Sequence, residues 1–207
     1  MKKQAILVLA VLGVVAVSGA KSTKLVCTWK NPSYAGGSFK NILVLAMNGK
    51  ASSRADFEDQ MVTEITRPGI QAVPSYSVMP RPESTPINMD QLSGLVRAQS
   101  FDAVLVSRLV KYDKAVTTVP GRANPPHPNY GTFYGYVGAL SPAVYSPGYL
   151  AKDTQVQIES IFYSTVKSDG ELIWTGTSDS VNPKKLSAAL NSIVKSVVQA
   201  LEKERMI

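Results

Sequence analysis

The chain has 207 residues, 44% of them hydrophobic and 18% charged, with a formal charge of +7, one cysteine and one histidine. That composition excludes a disulfide-stapled mini-domain, a low-complexity chain and a zinc site built from the usual Cys and His ligands. It leaves enough apolar residues for one domain with a sizeable core.

Met1 to Ala20 has the three parts of a secretory signal. Lys2 and Lys3 give a positive start, Ala5 to Val17 holds 13 residues without a polar side chain, and Ser18-Gly19-Ala20 puts small residues where signal peptidase requires them. Thirteen residues of helix rise about 20 Å, short of the roughly 30 Å hydrocarbon core, so the expectation is a cleaved leader and not a permanent span. Val17-Ser18-Gly19 also opens like a lipoprotein cleavage box, yet Ala20 stands where the lipid-bearing cysteine would be, and Cys27 follows the bulky Val26. Residues 21–207 are therefore expected as one exported domain, free in the periplasm, with outer-membrane association as the alternative. Cys27 is then the sole thiol in an oxidising compartment. It reads as a small hydrophobe in a strand, or as half of an intermolecular disulfide. The mature chain keeps a modest positive charge that suits an anionic membrane surface or cell-wall polymer. No RNP-type signature, zinc-finger spacing or basic recognition helix points to nucleic acid.

Lys24 to Lys30 alternates as a half-buried strand and ends at Asn31-Pro32. Asn41 to Met47, "NILVLAM", is nearly continuous apolar, as in a strand covered on both faces. Ser53 with Asp56 three residues on predicts a capping box, opening a helix that carries Phe57, Met61 and Ile65 on one face and stops at Pro68-Gly69. Gln71 to Ser77 reads as a short strand completing a βαβ-like unit. A proline-bearing loop leads to a second helix capped by Asn88, with Asp90 in its first turn and Leu92, Leu95 and Val96 as its apolar stripe. Phe101 to Tyr112 is the next central strand. Asp153 to Val166 and Glu171 to Thr177 form a hairpin about Ser168-Asp169-Gly170. Lys184 to Arg205 repeats its apolar residues at steps of three and four, as an amphipathic helix packed on the sheet does. The predicted class is α/β, with α+β character: a single mixed sheet with a long antiparallel hairpin, packed by two helices and a C-terminal amphipathic helix.

The stretch "TWKNPSYAGGSFKNILVLAM" (28 to 47) resembles the start of a group of small bacterial envelope proteins and lipoproteins of unassigned function. "RADFEDQMV" (54 to 62), "GIQAVPSY" (69 to 76), "FDAVLVSRLV" (101 to 110) and "DGELIWTGTSD" (169 to 179) extend the resemblance over most of the mature chain outside residues 120 to 150. The strand order is also similar to the periplasmic domains of the curli-export lipoprotein, the amino-terminal domain of TolB and the penicillin-binding-protein activators. This resemblance implies non-enzymatic work, either assembly or docking onto envelope machinery, and leaves homo-oligomerisation open.

Catalytic equipment is sparse. His127, in "NPPHPN", is the only histidine, and no G-x-S-x-G, S-x-x-K, H-E-x-x-H or glycine-rich phosphate loop is present. No metal or cofactor is expected, although a carboxylate site for calcium stays open. Asp56, Glu58 and Asp59 are adequately explained as dipole compensation near a helix start. Arg108, set among Val104, Leu105, Val106, Leu109 and Val110, either snorkels from a strand end or is buried with a partner, for which Glu159 is the candidate. Arg108, Glu159 and His127 around a cleft would make a small-ligand binder or hydrolase, the alternative to a non-catalytic protein. The leading candidate surface is the 31-residue segment 120 to 150, with six prolines, five glycines and five of the nine tyrosines. Such a long connection in a compact domain is usually functional or disordered. Tyr130, Phe133, Tyr134, Tyr136, Tyr145 and Tyr149 suit recognition of an envelope protein or cell-wall glycan, since tyrosine offers broad contact area at low entropic cost. A flap whose aromatics fold back on the sheet is the competing reading.

Overall fold

The computed structural model describes residues 23–82, 85–116, 131–140, 151–167, 170–181 and 185–207. Ala20, His127, Tyr130, Tyr145 and Tyr149 lie outside these residues, as do the side chains of Cys27 and Tyr136. The described elements are β1 (Lys24–Lys30), β2 (Asn41–Ala46), α1 (Ala51–Ile65), β3 (Gln71–Pro74), α2 (Ser75–Val78), α3 (Met89–Ala98), β4 (Ala103–Val116), α4 (Phe133–Leu140), β5 (Ala151–Ser164), β6 (Glu171–Val181) and α5 (Leu186–Lys203).

The strands make one mixed sheet in the order β1-β6-β5-β4-β2-β3. β3, β2 and β4 run parallel, while β4, β5, β6 and β1 pair antiparallel. From β2 the chain crosses to β3 on one side, then back past β2 to β4 on the other. Right-handed crossovers in opposite directions put their helices on opposite faces, α1 on one and α3 on the other. This explains the unbroken apolar run of β2. Ile42, Val44 and Ala46 join the cluster under α1 and α5, and Leu43, Leu45 and Met47 join the cluster under α3 and α4. α5 buries Ala189, Ile193, Val194, Val197, Val198 and Leu201, the stripe its periodicity predicts.

Several boundaries differ from the sequence expectation. α1 starts at Ala51 with Lys50 at its N-cap and no side-chain cap, so the Ser53–Asp56 capping box does not form. Gly49, at φ +108°, closes the turn out of β2 in a conformation open to glycine, and the helix begins before Ser53 is reached. β3 stops at Pro74, which has no N–H to continue a ladder, and residues 75–78 coil into α2. β4 extends to Val116 and β6 to Val181, because the antiparallel ladders carry on past Tyr112 and Thr177. β1 is less buried than its alternation suggests at Trp29, which shares a face with Leu25 in that pattern and is 44% exposed. Residues 133–140, expected within a loop, are helical.

Candidate functional site

In open α/β sheets, ligands gather at the carboxyl ends of parallel strands. Here the end of β2 carries two features, a buried set of charges and a cavity.

The charges fill in for a missing strand. β2 loses its β3 neighbour after Val44, which pairs with Pro74. The Ala46 N–H then donates to Glu58 Oε1 at 2.7 Å, and its carbonyl accepts from an Arg81 guanidinium nitrogen at 3.1 Å, which also reaches the Met47 carbonyl at 2.9 Å. Glu58 also accepts from the Ser75 hydroxyl at 2.8 Å and the Tyr76 N–H at 3.1 Å, thereby capping α2. Arg54 completes the set, donating to the carbonyls of Gly49 at 3.1 Å and Arg81 at 2.7 Å. Burial pushes the Glu58 carboxyl above the usual carboxylate range, opposed by the Ala46, Ser75 and Tyr76 donors. Burial, reinforced by the neighbouring Arg54, lowers Arg81, and Glu58 opposes that shift. Each charge is therefore hydrogen-bonded, as burial demands, with both guanidinium groups on backbone carbonyls and the one carboxylate on N–H and O–H donors. Dipole compensation does not account for Glu58, which is 1% exposed. The signal was its spacing: Arg54, Phe57, Glu58, Met61 and Ile65 form one helical stripe, and all five are buried.

The cavity, about 190 Å³, opens between the first turns of α1 and α5 above β4 and β5. Ala46, Phe57, Leu109, Tyr112, Ile158 and Leu190 supply apolar wall, with Lys50, Arg54 and Leu186 also in its lining. Asn48 sits beside it and prolongs the β2–β4 pairing through its side chain. Its amide donates to the Leu109 carbonyl at 2.9 Å and accepts from the Leu109 N–H at 2.8 Å, next to a bulge in β4.

Arg108 and Glu159 meet as the sequence suggested. They are direct cross-strand partners, and Arg108 Nε donates to Glu159 Oε2 at 2.6 Å. Arg108 lies well inside β4 and does not snorkel from a strand end. Alternation aligns Arg108 with Val104 and Val106, and Glu159 with Ile161 and Tyr163, so the pair faces the α3–α4 side. The cavity is on the other face, where Leu105 and Ile158 point. Beyond the ion pair, Lys111 donates to Gln155 at 2.8 Å and Gln155 to Asp179 at 2.8 Å, which makes the far end of this face a polar ladder. Among the described residues no group of three or more His, Cys, Asp and Glu side chains is placed to hold a metal ion.

The aromatic segment is divided by α4. Phe133 and Val137 are fully buried, and the Phe133 ring lies 5.5 Å from that of Tyr163 and 4.9 Å from that of Tyr134, centroid to centroid. Thr132 bridges to Glu171 and its hydroxyl accepts from the Gly135 N–H at 3.3 Å, fixing the helix start. Phe133 is thus a core residue, removed from any contact surface, and Tyr134 is half-buried.

Among the described residues no helix is long and apolar enough to cross a membrane. No protein-family model and no curated protein matches the chain. Solved structures with a related shape include the PelC dodecamer from Paraburkholderia phytofirmans, at 12% identity and TM-score 0.45, over 89% of this chain and 99% of that one. Lipoprotein GNA1162 from Neisseria meningitidis is similar at 15% identity and TM-score 0.40, over 79% of this chain and 99% of the other. The hypothetical protein CT253 from Chlamydia trachomatis is similar at 10% identity and TM-score 0.34, over 82% of this chain and 94% of the other. Likenesses this distant bear on neither activity nor assembly.

Proposed function

We propose that the chain is an exported cell-envelope protein that works by contact and not by catalysis, docking an envelope protein through residues 120 to 150. The observation that carries this reading is the burial of Phe133 and Val137. A helix anchored to the sheet in mid-segment ties the tyrosine-bearing stretches on either side to a fixed body, and a rigid platform lowers the ordering cost of binding. The leader-like Met1 to Ala20 supports export, and Tyr145 and Tyr149 supply the aromatic contact area.

Site-specific photo-crosslinkers placed at Tyr145 and Tyr149 in growing cells test this, with the exposed Tyr76 as the control position. A discrete adduct with another envelope protein from the segment positions, and none from Tyr76, is the expected result. Equal labelling from all three positions would overturn the reading. Adducts with wall fragments would move the proposal to a glycan, and adducts with a second copy of this chain to self-assembly.

A further inference from the structure

We propose that the cavity between the first turns of α1 and α5 binds a small carboxylate with a compact apolar body, a single ring or a short acyl chain. This inference is independent of the aromatic segment.

The interior is unsuited to water. Its wall is built largely from Ala46, Phe57, Leu109, Tyr112, Ile158 and Leu190. Three of the polar side chains in that wall are engaged within the protein: Asn48 with the Leu109 backbone, Ser107 with Ser160 at 2.9 Å, and Arg54 with two carbonyls, which leaves Ser53 and Lys50 as the polar side chains toward the mouth. An ordered water needs two to four partners, and an apolar guest needs none, so the guest gains by displacing it. A volume of about 190 Å³ accommodates a body on the scale of benzene or a chain of similar bulk, and is too small for a two-chain lipid. Leu186 is 42% exposed beside this opening, so an occupant would also cover apolar surface that now meets solvent.

The head group follows from charge. The cavity lining includes Lys50, Arg54 and Arg108 and no carboxylate. Arg108 belongs to the wall as part of β4, with its guanidinium turned to Glu159 on the other face, and Arg54 is spent on carbonyls. Lys50 is exposed at the rim, and the exposed Lys185 immediately precedes Leu186. Of the acids in the first half of α1, Glu58 is sealed by three donors, and the exposed Asp56 and Asp59 stand outside the lining. A guest with an apolar body and a negative head therefore meets complementary groups at both ends, whereas a cationic head meets like charge.

Calorimetric titration of the intact protein with octanoate, octanol and octylamine, three heads on one tail length, tests this. Octanoate is expected to bind at one site per chain, octanol about tenfold more weakly, and octylamine not at all. Lys50→Gln should reduce octanoate to about the octanol level. Leu190→Trp should fill the cavity and abolish binding while the unfolding midpoint shows a folded protein. Should that variant fail to fold, Leu186→Trp at the mouth gives the same readout. Equal binding of the three probes, no binding of octanoate at millimolar concentration, or unchanged binding by a folded tryptophan variant would overturn the proposal. Sedimentation with phosphatidylglycerol vesicles that Leu190→Trp abolishes would overturn it in favour of a lipid surface.

Discussion

Strands β4 and β5 pair along nearly their full length, but their two halves live in different surroundings. In the near half, Val104, Leu105, Val106, Ile161, Phe162 and Tyr163 are all fully buried, with helices on both faces of the sheet. In the far half, alternation sends Ile158 and Val156 to the α1–α5 face and Glu159, Gln157 and Gln155 to a face that carries the Arg108–Glu159 ion pair and the hydrogen bonds of the Gln155 amide. Among the described residues, the cluster under α3 and α4 takes in Val104, Val106, Ile161 and Tyr163 of these strands and stops short of Arg108 and Glu159. One ladder thus serves as a core element and then as a half-wet surface, and the change is set by which helices reach it and not by strand propensity.

The largest expected effect separates the two halves directly. Phe162→Ala should cost about 3–5 kcal/mol, since Phe162 is fully buried and meets Phe39 edge-on at 5.1 Å. Gln157→Ala, in the far half of the same strand, should change stability by about 0.5 kcal/mol or less. Urea unfolding of both variants checks the contrast, and equal losses would break it.

Next in size is Glu58, the buried charge at the end of β2. Glu58→Ala strands the Ala46 and Tyr76 N–H groups and the Ser75 hydroxyl, and should cost about 2–4 kcal/mol. Glu58→Gln keeps an acceptor and should cost less, with a pH signature. Because burial raises the folded-state pKa of Glu58, its contribution is fully present below the unfolded carboxylate pKa. That contribution is lost as pH rises through the folded value. Wild-type stability relative to Glu58→Gln should therefore fall across that window and level off above it, as unfolding free energies at a series of pH values would show. A smaller loss, about 1–3 kcal/mol, is expected for Gly176→Ala, whose new methyl would sit 2.3 Å from the buried Trp174 ring. Near-ultraviolet circular dichroism should report the displaced indole.

Much of the near half could be read in the sequence, because apolar runs and helical stripes there reflect burial directly. "NILVLAM" gave a strand covered on both faces, and Phe57, Met61 and Ile65 gave the face of α1. Glu58 was misread, and Arg81 went unread, because there a side chain takes over a backbone partner. Glu58 and Arg81 replace the absent strand beside Ala46, and no local pattern in β2 announces that β3 will end at Pro74. The cavity was equally hidden, since it depends on α1 and α5 starting at the same end of the sheet, a relation set by topology. Phe133 looked like its aromatic neighbours in composition. Only the helical placement of Val137 one turn later distinguishes a core anchor from a contact residue.

Arg108 marks the seam between the halves and sets the finest test. Its side chain is 21% exposed and that of Glu159 is 17%, so the pair sits between the surface and the interior. Exposed ion pairs are worth about 0–1 kcal/mol, and breaking a buried one costs about 3–5 kcal/mol. An intermediate loss of about 1–2 kcal/mol is expected for Arg108→Ala, in keeping with that half-wet position. If the face is half wet, the double variant Arg108→Ala, Glu159→Ala should recover part of that loss, because no charge is then left without its partner. The coupling should also shrink at high salt, as solvent-accessible pairs are screened. A coupling as large as a buried pair's and insensitive to salt would mean that something covers this face in solution. The division of β4 and β5 into a dry half and a wet half would then have to move outward past Arg108.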